Sequence, residues 1–258
     1  MSELLAQRRG LIALSGRECE RVLKLWTQTV LAPILSSALF IVVFGLSLGG
    51  RIKQIDGIAY DQFIVPGLIA MGMAQAAYAN NSATVFQARF DRYLNDVLAS
   101  PMRGWEVNLG LTLGGAVRAL AIGAGLIAIA LPLTGVPVRD PLVLIAAVAL
   151  LLTIFCAFGV IVGIHAESWD QSAFVTNLVI LPASFLGGVF YSVGRLPSPW
   201  QEISHVNPLY YLIDAVRHGF LGQSDVSPAI SLGVAAALAA GAVAWSARLF
   251  ATGRRLKP

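Results

Sequence analysis

Residues 141–164, PLVLIAAVALLLTIFCAFGVIVGI, contain no charged side chain. An uncharged apolar run of this length is about what a helix needs to cross the hydrocarbon core of a bilayer. Five similar runs place further spans at 28–48, 62–84, 107–132, 173–194 and 229–247. The whole chain agrees with that reading: 57% of its 258 residues are hydrophobic and 12% charged, against about 25% charged in soluble domains. Too few charges remain to cover a water-facing surface, which excludes a cytosolic globular enzyme, a disordered chain and a disulfide scaffold. The expectation is an all-α integral membrane protein with six transmembrane helices forming one domain over 1–258, because no linker or composition shift separates a second unit.

The distribution of Lys and Arg sets the orientation. With six spans, both ends and the 85–106 and 165–172 loops share one side, which carries twelve basic residues against five on the other. The positive-inside rule then puts both termini in the cytoplasm. Residues 1–27 lack the continuous apolar core of a signal peptide, since Arg8, Arg9, Arg17, Glu18, Glu20, Arg21 and Lys24 interrupt them. Over 8–27, Leu11, Leu14, Val22, Leu25 and Trp26 recur at helical spacing between those charges, which predicts an amphipathic helix lying along the inner interface. Cys19 and Cys156 imply no disulfide framework.

A second amphipathic helix is expected on the same side. In VFQARFDRYLNDVLASPMR, residues 85–103, Phe86, Phe90, Leu94, Val97 and Leu98 recur at three- and four-residue steps, and Pro101 ends the pattern. Exposed aromatics with both signs of charge make it a partner-docking surface. On the opposite side, 195–227 is broken by Pro197, Pro199 and Pro208. Asn207-Pro208 supplies a cap and first-turn pair for a helix ending near Gly219, and the segment reads as a shallow re-entrant hairpin before the last span. Within it, Asp214 is placed to pair with Arg217 or His218.

Chemistry is sparse. None of the three lysines, Lys24, Lys53 and Lys257, follows a glycine, so the chain has no phosphate-cradling P-loop and any ATP is hydrolysed on another polypeptide. His165, His205 and His218 are scattered, giving neither a metal site nor a nucleophile triad. Asp61, Glu106, Asp140 and Asp170 all sit at span ends, which weakens an ion-coupled secondary transporter as an alternative. A membrane-embedded enzyme or scaffold using His205, Asp214 and His218 is weaker still. Arg118 is the one charge well inside a span; a guanidinium there costs about 2.5–3.5 kcal/mol on insertion scales, so it faces protein or a water-filled cavity. It contacts either passing cargo or, as the favoured reading, backbone carbonyls or a polar neighbour such as Gln75. Pro182, deep in the fifth run, is the candidate hinge, whereas Pro33 and Pro66 lie in the first two turns of their spans. Gly110, Gly114, Gly115, Gly187 and Gly188 allow close helix contact.

FIVPGLIAM at 63–71, YAN at 78–80, the 85–103 helix ending LASPMR, GGVFYS at 187–192 and LPSPWQEISHVNPLYYLIDAVRHGFLG at 196–222 together resemble an ABC-2 type permease. The likeness is to the YadH-like branch, related to exporters of nodulation factor, O-antigen polysaccharide and daunorubicin-type drugs, and it covers essentially the whole chain. The resemblance implies a bacterial inner-membrane half-transporter that moves a lipid, polysaccharide, drug or other hydrophobic substrate. Two copies of the chain would form the pathway above two copies of a cytoplasmic ATPase, which carries the ATP and Mg; this chain needs no cofactor, and no nucleic acid is implied. It maps the family's ATPase-docking helix onto 87–100, with Arg89, Phe90, Arg92, Leu94 and Asp96 as contacts, and its amino-terminal interfacial helix onto 8–27. It also places the outer hairpin, with Asn207, Pro208, Asp214 and Arg217, before the last span, and membrane lipid as the remaining partner.

Overall fold

The computed structural model describes residues 2–49 and 54–253. Helix α1 (Ser2–Lys24) continues through a turn at Leu25 and a wide, π-helical turn at Thr27–Leu31 into α2 (Ala32–Gly49). After a two-stranded hairpin come α3 (Tyr60–Phe90), the short α4 (Tyr93–Ala99), α5 (Gly104–Thr134) and α6 (Pro141–His165). Then follow α7 (Trp169–Val175), a second π-helical turn (Thr176–Ile180) and α8 (Leu181–Leu186), two short helices α9 (Trp200–Val206) and α10 (Pro208–Leu221), and α11 (Pro228–Thr252). The fold is all-α and that of an integral membrane protein. Among the described residues five helical stretches, Thr27–Gly45, α3, α5, α6 and α11, are each long and apolar enough to cross a bilayer.

The fifth run departs from expectation. Helix covers 169–186 in three pieces and stops at Leu186, so GGVFYS at 187–192 is not part of a span as the 173–194 boundary implied. Gly188 takes a left-handed φ of +83°, a conformation glycine adopts without a Cβ penalty, and it turns the chain out of the helix. The next residue, Val189, lies against α3 so closely that a Cβ on Gly67 would fall 2.9 Å from its Cα. The remaining helix, 169–186, still rises about 27 Å, close to the thickness of a hydrocarbon core. Pro182 sits in the first turn of α8 directly after the π-helical turn, which takes up the register mismatch that a proline without an N–H creates.

Helix α3 is the axis of the molecule: its residues from Phe63 to Met71 are buried almost without break, and α2, α5, α6 and α10 pack round it. Its polar stripe, Tyr78-Ala79-Asn80-Asn81-Ser82, binds the backbones of its neighbours. Asn81 Nδ2 donates to the Cys156 carbonyl at 3.3 Å, the Tyr78 hydroxyl to the Ser172 carbonyl at 3.1 Å, and Ser172 Oγ to Ser82 Oγ at 2.7 Å. The Asn81 contact depends on Gly159 and Gly163 of α6, a small-xxx-small pair that brings α6 against the α3 backbone. On α5, Gly110 seats Leu14 of α1, Gly114 lies between Glu18 of α1 and Asn80 of α3, and Gly115 faces Asn81 of α3, so this stripe takes both the amino-terminal helix and a neighbouring span.

The hairpin pairs Gln54-Ile55 with Ile58-Ala59 across Asp56-Gly57, both at positive φ as a type I′ turn requires. Asp56 Oδ1 accepts a 2.7 Å ion pair from Arg195, joining this turn to the loop after α8.

Candidate functional site

The docking helix expected over 87–100 is divided in two. Residues 87–90 complete the last turn of α3; Arg92, at φ +58°, breaks the helix, and α4 begins at Tyr93. The break decides which of the five candidate side chains can meet a partner. Leu94 is 1% exposed and, with Val97, anchors α4 in a second apolar core made with Val85, Leu111 and Ile164. Arg89 donates to the Gly163 and Ala166 carbonyls at 3.2 and 3.1 Å, closing the carboxyl end of α6, where a cation is favourable. Phe90, 73% exposed, together with Arg92 and Asp96, forms the outward ridge. Phe90 stacks on Phe86 with ring centroids 6.1 Å apart, and Trp169 meets Phe86 edge-on at 4.7 Å. A cleft of about 350 Å³ opens beside them, lined by Phe86, Arg89, Phe90, Arg92, Ala166 and Glu167.

Helix α1 is clamped to this ridge. The Arg17 guanidinium lies 4.0 Å from the centre of the Tyr93 ring. Burial pushes the Tyr93 hydroxyl above its ordinary pKa, so the ring stays neutral and offers its face to the cation. The next residue, Glu18, is buried and pairs with Arg21 one turn on at 3.0 Å, and Arg21 in turn donates to Thr84 Oγ1 of α3. α1 begins at Ser2, earlier than the expected 8–27 helix, and Leu14 and Val22 are its buried apolar contacts whereas Leu25 and Trp26 are exposed.

Arg118 reaches a backbone carbonyl of its own chain: its Nε donates to the Thr29 carbonyl at 2.8 Å. Thr29 lies in the π-helical turn, where the usual i to i+4 ladder is interrupted and a carbonyl is free to accept from a side chain. The arginine thereby ties α5 to the join between α1 and α2.

At the other end of the molecule, α10 is not a shallow surface element. Eleven of its residues between Leu209 and Leu221 are buried, Tyr210, Ile213 and Phe220 wholly, and the helix packs against α3, α6 and α11. Asn207 caps it as expected, its Oδ1 accepting from Leu209 N at 3.1 Å beside Pro208, but the helix runs past Gly219 to a left-handed Gly222. Asp214 and Arg217 do not form the expected ion pair. Asp214 accepts from the backbone of Asp225 at 2.8 Å and of Val226 at 3.3 Å, and from Ser231 Oγ at 3.1 Å. Arg217 donates to the Gly188 carbonyl at 2.5 Å, with its guanidinium 4.1 Å from the Phe63 ring centre. His218 turns instead to Ser224, its Nδ1 3.1 Å from that hydroxyl.

Asp225 was not singled out from the sequence, yet it holds this end together by accepting from Ser192 Oγ at 3.0 Å and Val193 N at 3.1 Å. It sits in the α10–α11 connection, where no periodicity marks it. The charge pattern of 8–27 gives Glu18 no distinct role either; the glycine opposite, Gly114, is the available signal.

Two groups of polar and charged residues thus occupy opposite ends of the helical membrane fold. The ABC-2 type transporter family model matches residues 9–221. The chain is 37% identical over 221 residues to the inner membrane transport permease YadH of Escherichia coli K12, covering 85% of this chain and 86% of that one. It is 27% identical over 214 residues to nodulation protein J of Rhizobium leguminosarum bv. viciae, covering 81% and 83%, and 28% identical over 213 residues to nodulation protein J of Rhizobium meliloti 1021, covering 81% of each. The chain belongs to the ABC-2 type transporter family, as a membrane permease of an ABC transporter.

Proposed function

We propose that this permease is the membrane half of an ATP-driven exporter in a bacterial inner membrane, working as a homodimer above two copies of a separate ATPase. The carrying observation is the ridge of Phe90, Arg92 and Asp96, held outward by a buried Leu94 and a helix break at Arg92. An aromatic with two opposite charges on a rigid base is a surface built for a protein partner. Both termini and this ridge are cytoplasmic in the reading, and α7–α8 with its π-helical turn is the sixth span. The inner-membrane location of the YadH relative supports the assignment of compartment.

The same contacts supply a route for the stroke. Movement of α4 pulls Arg17 through Tyr93, and α1 carries the displacement into α2 and, through Arg118 and Thr29, into α5. The π-helical turns at Thr27–Leu31 and Thr176–Ile180 fall in α1–α2 and α7–α8, the membrane segments least packed on their own chain, and Pro182 gives the second of them its bending point. Arg118 is a structural tie and not a cargo contact. The cargo class is a lipid, polysaccharide, drug or other hydrophobic molecule.

Co-purification tests the reading. The unmodified permease should co-elute with a P-loop ATPase and stimulate its ATP hydrolysis. A variant carrying Phe90→Ala, Arg92→Glu and Asp96→Arg, all at exposed positions, should lose both while keeping its helical content. Retention of binding and stimulation by that variant would overturn the docking assignment.

A further inference from the structure

A groove of about 340 Å³ runs between α5, α6 and α11 towards the α4 end of the molecule, lined among others by Trp105, Thr112, Ala116, Thr153, Ala157 and Val243. The helices that wall it run antiparallel: a Cβ on Gly104 would meet Phe250, and Ser246 Oγ donates to Asn108 Oδ1 at 3.0 Å. Its lining is mostly apolar, and Trp105 stands half-exposed at its mouth.

The charges round that mouth are one-sided. Arg103 immediately precedes Trp105's turn of α5, Arg248 follows the lining residue Ala247 on α11, and Arg8 and Arg9 lie beside Gly10, where a Cβ would meet Met102. All four arginines are exposed, and among the described residues none has a carboxylate within ion-pair distance, whereas Arg21, Lys24 and Arg195 each do. The nearest acid in sequence, Glu106, is turned inward to accept from the Arg103 backbone N–H at 2.7 Å. Unpaired arginines beside an aromatic-edged apolar slot between spans match a ligand with an anionic head and a hydrocarbon tail.

We propose that the groove holds an anionic phospholipid of the leaflet on the α4 side, its phosphate against Arg103 and Arg248 and one acyl chain along α5, α6 and α11. In the orientation given under the proposed function this is the cytoplasmic leaflet. The site lies apart from the Phe90–Asp96 ridge, so the lipid is a bound component of the permease and not a part of ATPase docking.

Native mass spectrometry of the purified permease, after exchange into defined mixtures of phosphatidylglycerol and phosphatidylcholine, reads the site without any ATPase. The unmodified chain should retain one phosphatidylglycerol in preference to phosphatidylcholine. Each of Arg103→Gln and Arg248→Gln should weaken retention about five-fold, and the pair about 25-fold, at the ~1 kcal/mol that each basic residue near a lipid surface contributes. Thr153→Phe, a change at an exposed groove position, should abolish preferential retention with thermal stability in phosphatidylcholine unchanged. Equal retention of the two lipids by the unmodified chain, or full retention by Thr153→Phe, would overturn the proposal. Loss of a dimer mass on Thr153→Phe would also overturn it, because a second copy would then be what covers the groove. A negative result leaves ATPase co-elution unaffected, so the two readings fail separately.

Discussion

Replacing Gly159 by alanine adds one methyl group at the α3–α6 contact, and the geometry fixes what it meets. The new Cβ would lie 2.6 Å from the Tyr78 carbonyl oxygen, 3.0 Å from Asn81 Cβ and 3.1 Å from the Ser82 backbone nitrogen. None of these atoms is the end of a flexible side chain, so α6 itself must shift, and the Asn81–Cys156 hydrogen bond shifts with it. Overpacking of this kind costs about 1–3 kcal/mol. Gly233 on α11 provides the control, since nothing lies within 4 Å of its added Cβ. There alanine should stabilise by about 0.5–1 kcal/mol through its better helix propensity. The same substitution on two spans is therefore expected to act with opposite sign, the variants differing by roughly 1.5–4 kcal/mol. Reversible unfolding of the purified protein in mixed micelles, followed by far-ultraviolet circular dichroism, measures both. A Gly159→Ala protein as stable as Gly233→Ala would refute the backbone-on-backbone packing of α3 and α6.

Three further outcomes follow from named contacts. Arg118→Leu leaves the Thr29 carbonyl without its donor and should destabilise the fold by about 1–3 kcal/mol in the same unfolding measurement, with export per folded molecule retained. Tyr93→Phe keeps the ring beneath Arg17 and removes a buried hydroxyl that has no hydrogen-bond partner, so ATPase stimulation should be unchanged; Tyr93→Leu should lower it and cost about 0.5–2 kcal/mol of stability. Arg217→Leu strands the Gly188 carbonyl and removes the contact with Phe63, with an expected loss of about 2–4 kcal/mol, seen also as faster proteolysis in the 187–199 loop.

Much of the fold is written in runs of apolar residues. Residues 141–164 differ from helix α6 by one residue, because an uncharged stretch between Asp140 and Glu167 has only one way to satisfy its backbone in lipid. Asn207-Pro208 likewise announces the start of α10, since cap and first-turn preferences are local. Reading failed where long-range packing decides. Periodicity joined Phe90 to Leu94 in one helix, but the left-handed Arg92 between them depends on α4 folding back to bury Leu94 and Val97. Hydropathy carries the fifth span through Gly187-Gly188 because those residues are uncharged, while the turn there is held by Arg217, 29 positions from Gly188, and by Asp225, 32 positions from Val193. Spacing offered Asp214 to Arg217, yet the α10–α11 connection supplies the carboxylate with two backbone amides and a serine, a better match for a buried anion than a guanidinium already committed to Gly188.

Site-specific cross-linking gives the most direct measurement of where the ATPase binds. In a background with Cys19→Ser, where the remaining Cys156 is buried, cysteines are introduced at Asp96 on the ridge and at Trp200 at the opposite end, both exposed positions. With a short thiol cross-linker and the partner ATPase present, the Asp96→Cys permease is expected to form an adduct of permease plus ATPase mass, and the Trp200→Cys permease none. An adduct at 200 with none at 96 would contradict both the orientation of the chain and the role of the α4 ridge.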